Sequence, residues 1–422
     1  MRKGLGRHNY RSAGGPVPSS LVLDFAGTGT LDPRVTFTRS TTATYYNSSG
    51  VLSTAPINAP RFDFNPTTGE SLGLLIEQSS TNLLTYSNDF TNAAWTKTGI
   101  TITPNAAISP DGTTNASAFT TNGVTPTYAY ILQSTNIVSG VLDVYAKANT
   151  ARYLVIVRGT YDSGDYAIYD LVNGTVTQQP TFSGSTASIT LVNNGYYRCF
   201  LNSAQTTPAS GIVGFSVSGA ATGLTTGTSG NLYIYGSQFE ALAFPTSYIP
   251  TTSAQVTRAA DNVSMTGTNF SSWFNASQSS LYMDFDIGYY VSGSGGNNQG
   301  LACFGTSTNR ILTYVGNGAS RPITGQLYDG TTNTNIVLNT GGNLTTNTSV
   351  KVAFAFNTTT LTGTYNGLAT NTATGGNLNL SLNIMYLGYK FDTSTYLNGH
   401  IRKFAYYPTA VSSANLQALT GS

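Results

Sequence analysis

Charge is what this 422-residue chain has least of: charged residues make up 9% of it, against about 25% in ordinary globular domains. Lysine and glutamate, the usual surface formers of helices, are scarce, so a helical bundle is excluded on propensity. Two cysteines, Cys199 and Cys303, lie too far apart for a disulfide framework. Two histidines, His8 and His400, cannot build a histidine metal cluster, and His400 behind Asn398-Gly399 reads as a structural residue. There is no apolar run of bilayer-spanning length and no signal-peptide core, so membrane insertion is not expected and synthesis in a cytosol is. Phosphate-binding and nucleophile-elbow glycine motifs are missing as well.

What remains is rich in Thr, Ser, Asn, 45 glycines and 27 tyrosines, with 40% hydrophobic residues. Short alternating segments recur between Gly/Asn/Asp/Ser turns. The fold class that follows is all-β, with tandem antiparallel β-sandwiches preceded by an extended N-terminal arm. The arm, residues 1–20, holds Arg2, Lys3, Arg7 and Arg11 and no acid. Without those four cations the net charge of +2 becomes about −2, the mark of a basic interaction arm on a near-neutral body. The body has no basic patch interleaved with aromatics, so nucleic acid is not an expected partner.

Five divisions are expected: the arm at 1–20, an irregular β segment at 21–85 packed on the first sandwich, a sandwich at 86–250, a linker at 251–261 and a second sandwich at 262–422. In the first sandwich strands are predicted at 141–146, 153–157, 166–171, 187–191, 196–201, 212–217 and 232–235. Asn173-Gly174 and Asn194-Gly195 suit type I′ hairpin turns. In the second, the 281–287 segment alternates Leu281, Met283, Phe285 and Ile287 with Asp284 and Asp286, which are expected to face solvent. One short helix is predicted, at 412–419, capped by Ser412 or Ser413.

Several strings resemble those of the tailed-phage and prophage head-spike or tail-fibre family. They are Leu31-Asp32-Pro33-Arg34-Val35-Thr36-Phe37-Thr38-Arg39-Ser40, Ala59-Pro60-Arg61-Phe62-Asp63, Gly73-Leu74-Leu75-Ile76-Glu77, Thr81-Asn82-Leu83-Leu84 and Asn92-Ala93-Ala94-Trp95. The run 236–250, Val256-Thr257-Arg258-Ala259-Ala260-Asp261 and the closing Leu397-Asn398-Gly399-His400-Ile401-Arg402-Lys403 belong with them. The resemblance covers roughly 21–422 and leaves the arm unmatched. It implies a carbohydrate-binding-module-like jelly roll coupled to a laminin-G or concanavalin-A-like sandwich, on the virion surface of a phage made in a bacterial cytoplasm.

Candidate chemistry is sugar binding, where aromatic rings pack on C–H faces and Asn, Asp and Arg bond hydroxyls. Three clusters fit: Tyr161, Asp162, Asp165 and Tyr166; Tyr289 and Tyr290 with Asn297 and Asn298; and Arg310, Tyr314, Tyr328 and Asp329. The paired acids Asp162 and Asp165 also suit a structural calcium ion, the one cofactor considered. The pairs Asp162/Asp165 and Asp284/Asp286 are the carboxylates a glycosidase would need, and solvated acids are the favoured reading of both. The leading expectation is a non-enzymatic virion fibre or spike. It is anchored by residues 1–20 to other virion proteins, assembled as a homo-oligomer, a trimer, and displays lectin-like domains to host-surface polysaccharide. The alternatives are a capsid decoration protein without glycan binding and a surface-polysaccharide hydrolase. A chain lacking residues 1–20 is expected to fold normally yet fail to join the particle; incorporation at wild-type occupancy in purified virions would remove the arm as anchor.

Overall fold

The computed structural model describes residues 10–12, 15–123, 129–135, 139–159, 164–204, 212–225, 228–289, 298–317, 321–338, 344–375, 381–393 and 395–421. Half of the chain is strand and 6% is helix. All-β architecture with antiparallel sheets is therefore what the scarcity of helix formers predicts. Arg2, Lys3 and Arg7 lie outside the described residues. Arg11 sits in the strand Tyr10–Ser12, which pairs with Gly15–Val17.

The first sandwich stacks two six-stranded sheets. One runs Thr96–Thr98, Tyr130–Ser134, Ile212–Ser218, Tyr153–Arg158, Asp165–Asp170, Thr175–Gln178. The other runs Ile100–Ile108, Thr114–Asn122, Ser229–Glu240, Gly140–Ala148, Tyr197–Ser203, Thr186–Leu191. Inward residues of alternate strand positions, among them Leu142, Val144, Leu154, Ile156, Val213 and Phe215, form its core with Trp95 and Phe119. Its turns show the local physics. Asn194 and Gly195 both take positive φ (54° and 73°), as a type I′ turn needs. At Gly174 only the glycine does (66°), and the turn is wider than the expected I′. There the Asp170 carboxylate accepts the Val172 and Asn173 amides and fixes the loop instead.

The second sandwich has a core of Leu281, Met283, Phe285, Phe304, Phe354 and Phe404 among others. One sheet runs Asn371–Thr374, Thr360–Tyr365, Val350–Phe356, Ser279–Phe285, Gly399–Tyr407, Ser71–Ile76, Phe62–Phe64. The other runs Asn333–Leu338, Ile323–Tyr328, Arg310–Val315, Gln299–Gly305, Ile384–Leu387, Asn262–Thr266, Thr36–Thr38. The helix Ser413–Gly421 covers the outer face of the first of these, packing Leu416 and Leu419 on Tyr282, Ala353 and Ala405.

Residues 21–85 divide between the two bodies rather than packing on the first alone. Leu21–Asp24, Thr36–Thr38, Phe62–Phe64 and Ser71–Ile76 complete the second sandwich's sheets. The hairpin Ala43–Tyr46/Leu52–Ala55 packs Tyr46 and Leu52 against Tyr145, Tyr196 and Tyr248 of the first sandwich and its exit. The first sandwich is thus inserted into the second. Chain entry and exit are clipped together by Ser80–Asn82 paired with Val256–Arg258. Gly73 has φ 93°, and a Cβ there would run into the Ile401 carbonyl, so this close strand approach requires glycine.

Beside that clip lies a buried charge cluster. Arg39 Nη1 donates to Asp261 Oδ1 at 2.9 Å, Arg61 bonds both Asp261 Oδ2 and Glu77 Oε2, and Arg258 Nη2 lies 3.4 Å from Glu77. The side chains are between 0% and 9% exposed. The surplus positive charge is spread over carbonyls: Arg39 donates to Thr41 and Pro56, and Arg258 to Gln78 and Ala259. Burial alone would raise the Glu77 carboxyl, but Arg258, Arg61 and the Ser247 hydrogen bonds hold it well below the usual range. Removing one member strands uncompensated buried charge. Asp261→Ala is expected to cost about 3–5 kcal/mol, read as a lowered urea midpoint at unchanged slope; a loss under about 1 kcal/mol would match a surface pair instead.

Candidate functional site

A cleft of about 140 Å³ opens where the two sandwiches meet. Three segments far apart in sequence wall it with rings: Tyr45 and Tyr46 from the hairpin, Phe244 from the exit of the first sandwich, and Tyr289 beyond the strand Ser279–Phe285. Tyr289 stacks on Phe244 with centroids 5.4 Å apart and planes at 11°. Tyr145 and Tyr248 close the base, edge to face at 6.1 Å. Asp63, Glu77, Arg198 and His400 add the ionisable groups.

His400 is held between two carboxylates. Its Nδ1 lies 2.9 Å from Asp286 Oδ1 and its Nε2 3.0 Å from Asp63 Oδ2. Arg402 Nη1 donates to Asp286 Oδ2 at 2.8 Å, and the Tyr46 amide donates to Asp63 Oδ1 at 2.7 Å. Burial disfavours a charged imidazole, yet Asp286 and Asp63 outweigh it and lift His400 to about 10. Asp286 moves down: burial opposes this, and His400 and Arg402 overcome it. With both ring nitrogens donating, His400 is a fixed cation and not a free base. On the other wall Arg198 bonds Asp143 Oδ2 through Nε and Nη2, and the Thr246 carbonyl at 2.6 Å. Burial and the nearby Glu240 push Asp143 up to about 7 against the pull of Arg198.

Among the sugar-site candidates, Tyr289 lines this cleft. Tyr161, Asp162, Tyr290 and Asn297 lie outside the described residues, and Asn298 is half-buried. Asp165 is buried, and its oxygens accept from Thr181, Phe182, Ser185 and Ser203, while Tyr166 on the same strand is half-buried. Arg310, Tyr314 and Tyr328 share the outer face of the second sandwich, with Tyr314 four residues along the strand from Arg310. There the Arg310 guanidinium lies over the Tyr328 ring at 4.6 Å, and Asp329 caps its own turn through Thr331 and Thr332. Asp165, Tyr166, Arg310, Tyr314, Tyr328 and Asp329 are not among the residues that line the cleft with Tyr289. Asp286, expected in solvent, is 2% exposed because His400 and Arg402 come over it from the neighbouring strand. Among the described residues no group of three or more His, Cys, Asp or Glu side chains could hold a metal ion, and no helix is long and apolar enough to cross a membrane.

Tyr45, Tyr46, Asp63 and Arg198 are absent from the clusters read from sequence. A signal existed for Asp63: it stands between Phe62 and Phe64 in a string that carries the resemblance, and in the structure Phe62 packs on the core while Asp63 is buried on the opposite face, at the cleft.

No family model matches the chain, and no curated protein matches it. Solved structures do. The Ruminococcus gnavus IT-sialidase CBM40 bound to alpha2,6 sialyllactose is 17% identical over 35% of this chain and 85% of its own, at a TM-score of 0.29. The NanB sialidase from Streptococcus pneumoniae is 14% identical over 37% of this chain and 26% of its own, at 0.30. A Trypanosoma rangeli sialidase is 9% identical over 72% of this chain and 60% of its own, at 0.29. The expectation that the chain is not an enzyme does not stand, because sialidases are among the structures it is similar to. At these identities and TM-scores no activity and no ligand passes to this chain.

The His400 geometry has a consequence for stability. Its folded pKa, about 10, exceeds the unfolded value of 6.5, so the native state binds the extra proton between the two. The stabilisation is complete below about pH 6.5 and is lost as pH rises through about 10. Urea unfolding across that window is expected to show stability falling with pH, and His400→Gln is expected to flatten the slope; an unchanged slope in the variant would assign the fall to other buried groups with raised values, Asp143, Cys199, Cys303 and the tyrosines.

Proposed function

We propose that the chain binds glycans, and that the cleft between the sandwiches receives one sugar ring. The observation that carries this is the pairing of four partly or fully buried wall rings with the polar side chains of Asp63, Glu77, Arg198, Asn347 and His400 in a cavity of about 140 Å³. An enclosed cavity of ~150 Å³ takes up benzene, so this open cleft can seat the face of a sugar ring with its hydroxyls towards the mouth. Tyr45, Tyr46 and Tyr289 supply faces for C–H packing, and Asp63 and Asn347 supply hydroxyl partners. The phage-like strings support a wider setting: a virion fibre or spike, held to the particle by residues 1–20 and assembled as a trimer. Such an assembly would multiply weak single-ring contacts on host polysaccharide, by about 10²–10⁴ for linked sites.

A glycan array probed with the full chain is expected to show discrete binding. Tyr289→Ala is expected to weaken it about fivefold to tenfold, the worth of one good ring contact. A folded chain that binds no glycan, or a Tyr289→Ala variant that binds as wild type does, would reject the cleft as the sugar site.

A further inference from the structure

We propose that the loop 90–95, at the entry of the first sandwich, is a monovalent-cation site that the chain fills with its own Lys97 ammonium. The Lys97 Nζ donates to four backbone carbonyls, those of Asn92 and Trp95 at 2.8 Å and those of Phe90 and Thr91 at 3.2 Å. An ammonium carries three N–H donors, so three protons are shared among four oxygens, as a shell of oxygens surrounds a simple ion. None of these five residues lines the cleft between the sandwiches.

The local sequence makes the carbonyls converge. Phe90 and Trp95 are buried in the core of the first sandwich, their ring centroids 5.3 Å apart, and they pin both ends of the loop. Between them amides are taken by side chains of the loop itself. The Thr91 amide donates to Asp89 Oδ1 and the Ala94 amide to Asn92 Oδ1. The carbonyls of the same turn are gathered on one point, where they need a donor or a cation. Lys97 reaches back from the edge strand Thr96–Thr98 to supply it. Burial lowers this ammonium from its usual value, and the charge of Asp89 opposes the shift.

The size of the cage sets the class of ion. Calcium holds its oxygens at about 2.3–2.6 Å and magnesium at about 2.0–2.1 Å, both closer than the 2.8–3.2 Å found around Lys97 Nζ. Potassium matches an ammonium in charge and nearly in size, and rings of backbone carbonyls can replace its hydration shell. Potassium is therefore the metal ion that fits the loop once the lysine is removed.

The test is urea unfolding of the full chain in choline chloride, potassium chloride and calcium chloride at matched ionic strength. Wild type is expected to show one midpoint in choline and in potassium. Lys97→Ala empties the cage and is expected to raise the unfolding constant in choline about tenfold, the worth of a lost charged hydrogen-bond donor. Potassium at about 0.5 M is expected to restore at least about half of the lost midpoint, by mass action on the folded state. Lys97→Met leaves a methyl group in the cage and is expected to lose stability without recovering it in potassium. A Lys97→Ala midpoint equal to wild type in choline, recovery that is the same in all three salts, or recovery in calcium alone would overturn the proposal. Should the variants not fold, wild type still decides: under limiting acetic anhydride, Lys97 is expected to be acetylated about tenfold more slowly than the other lysines, its lone pair being protonated and caged. Acetylation at the rate of the other lysines would overturn the cage.

Discussion

The fold hangs on five buried charges at the neck between the sandwiches. Arg39, Arg61 and Arg258 converge on Glu77 and Asp261, and the five come from four segments of the chain, Arg258 and Asp261 from the same one. Arg39 follows an edge strand, Arg61 precedes another, Glu77 directly follows the strand Ser71–Ile76, and Arg258 and Asp261 flank the return. In a medium that cannot hydrate them, these groups are tolerable only together. Their assembly therefore reports that the chain has left one sandwich, built the other, and come back in register. The segments 21–76 and 262–421 can then close a common pair of sheets.

The cleft inherits its shape from that neck. Its walls belong to both sandwiches and to the hairpin between them, so relative movement would open or destroy it. The clip of Ser80–Asn82 with Val256–Arg258, the charge cluster below it and the Tyr46–Tyr145 contact hold the walls in place. A site built this way spends little of its binding energy on ordering itself. The Asp63–His400–Asp286 array adds to the same rigidity, since a cation bonded on both ring nitrogens ties the strands Phe62–Phe64 and Gly399–Tyr407 to the residue that follows Ser279–Phe285.

Much of this was legible one strand at a time. The segment 281–285 alternates Leu281, Met283 and Phe285 with Tyr282 and Asp284, and 153–157 is a short apolar run; both are strands, with Leu281, Met283, Phe285, Leu154 and Ile156 in the cores. The terminal helix begins one residue after the predicted 412, and the Ser412 hydroxyl lies 3.4 Å from the Asn415 amide as its cap. The candidate site was less legible. Tyr289 was singled out, but its partners Phe244, Tyr45 and Arg198 lie in three other segments, and tyrosine is too common here to mark any one of them. Asp286 reads as a solvent-facing acid on a half-buried strand, and only the strand laid beside it, carrying His400 and Arg402, makes it a buried one.

By itself the sequence determined the class of structure, the positions of turns and the faces of strands. These follow from propensity, periodicity and φ requirements that act within about ten residues. Tertiary structure decided that strands from 21–76 belong with those from 262–421, that the first sandwich is an insertion, and that the functional cleft lies at the junction. Antiparallel pairing leaves no trace of the partner's address in a strand's own alternation. The nearest thing to an address is the set of arginines and acids too costly to bury alone, and their meaning emerges only when they meet.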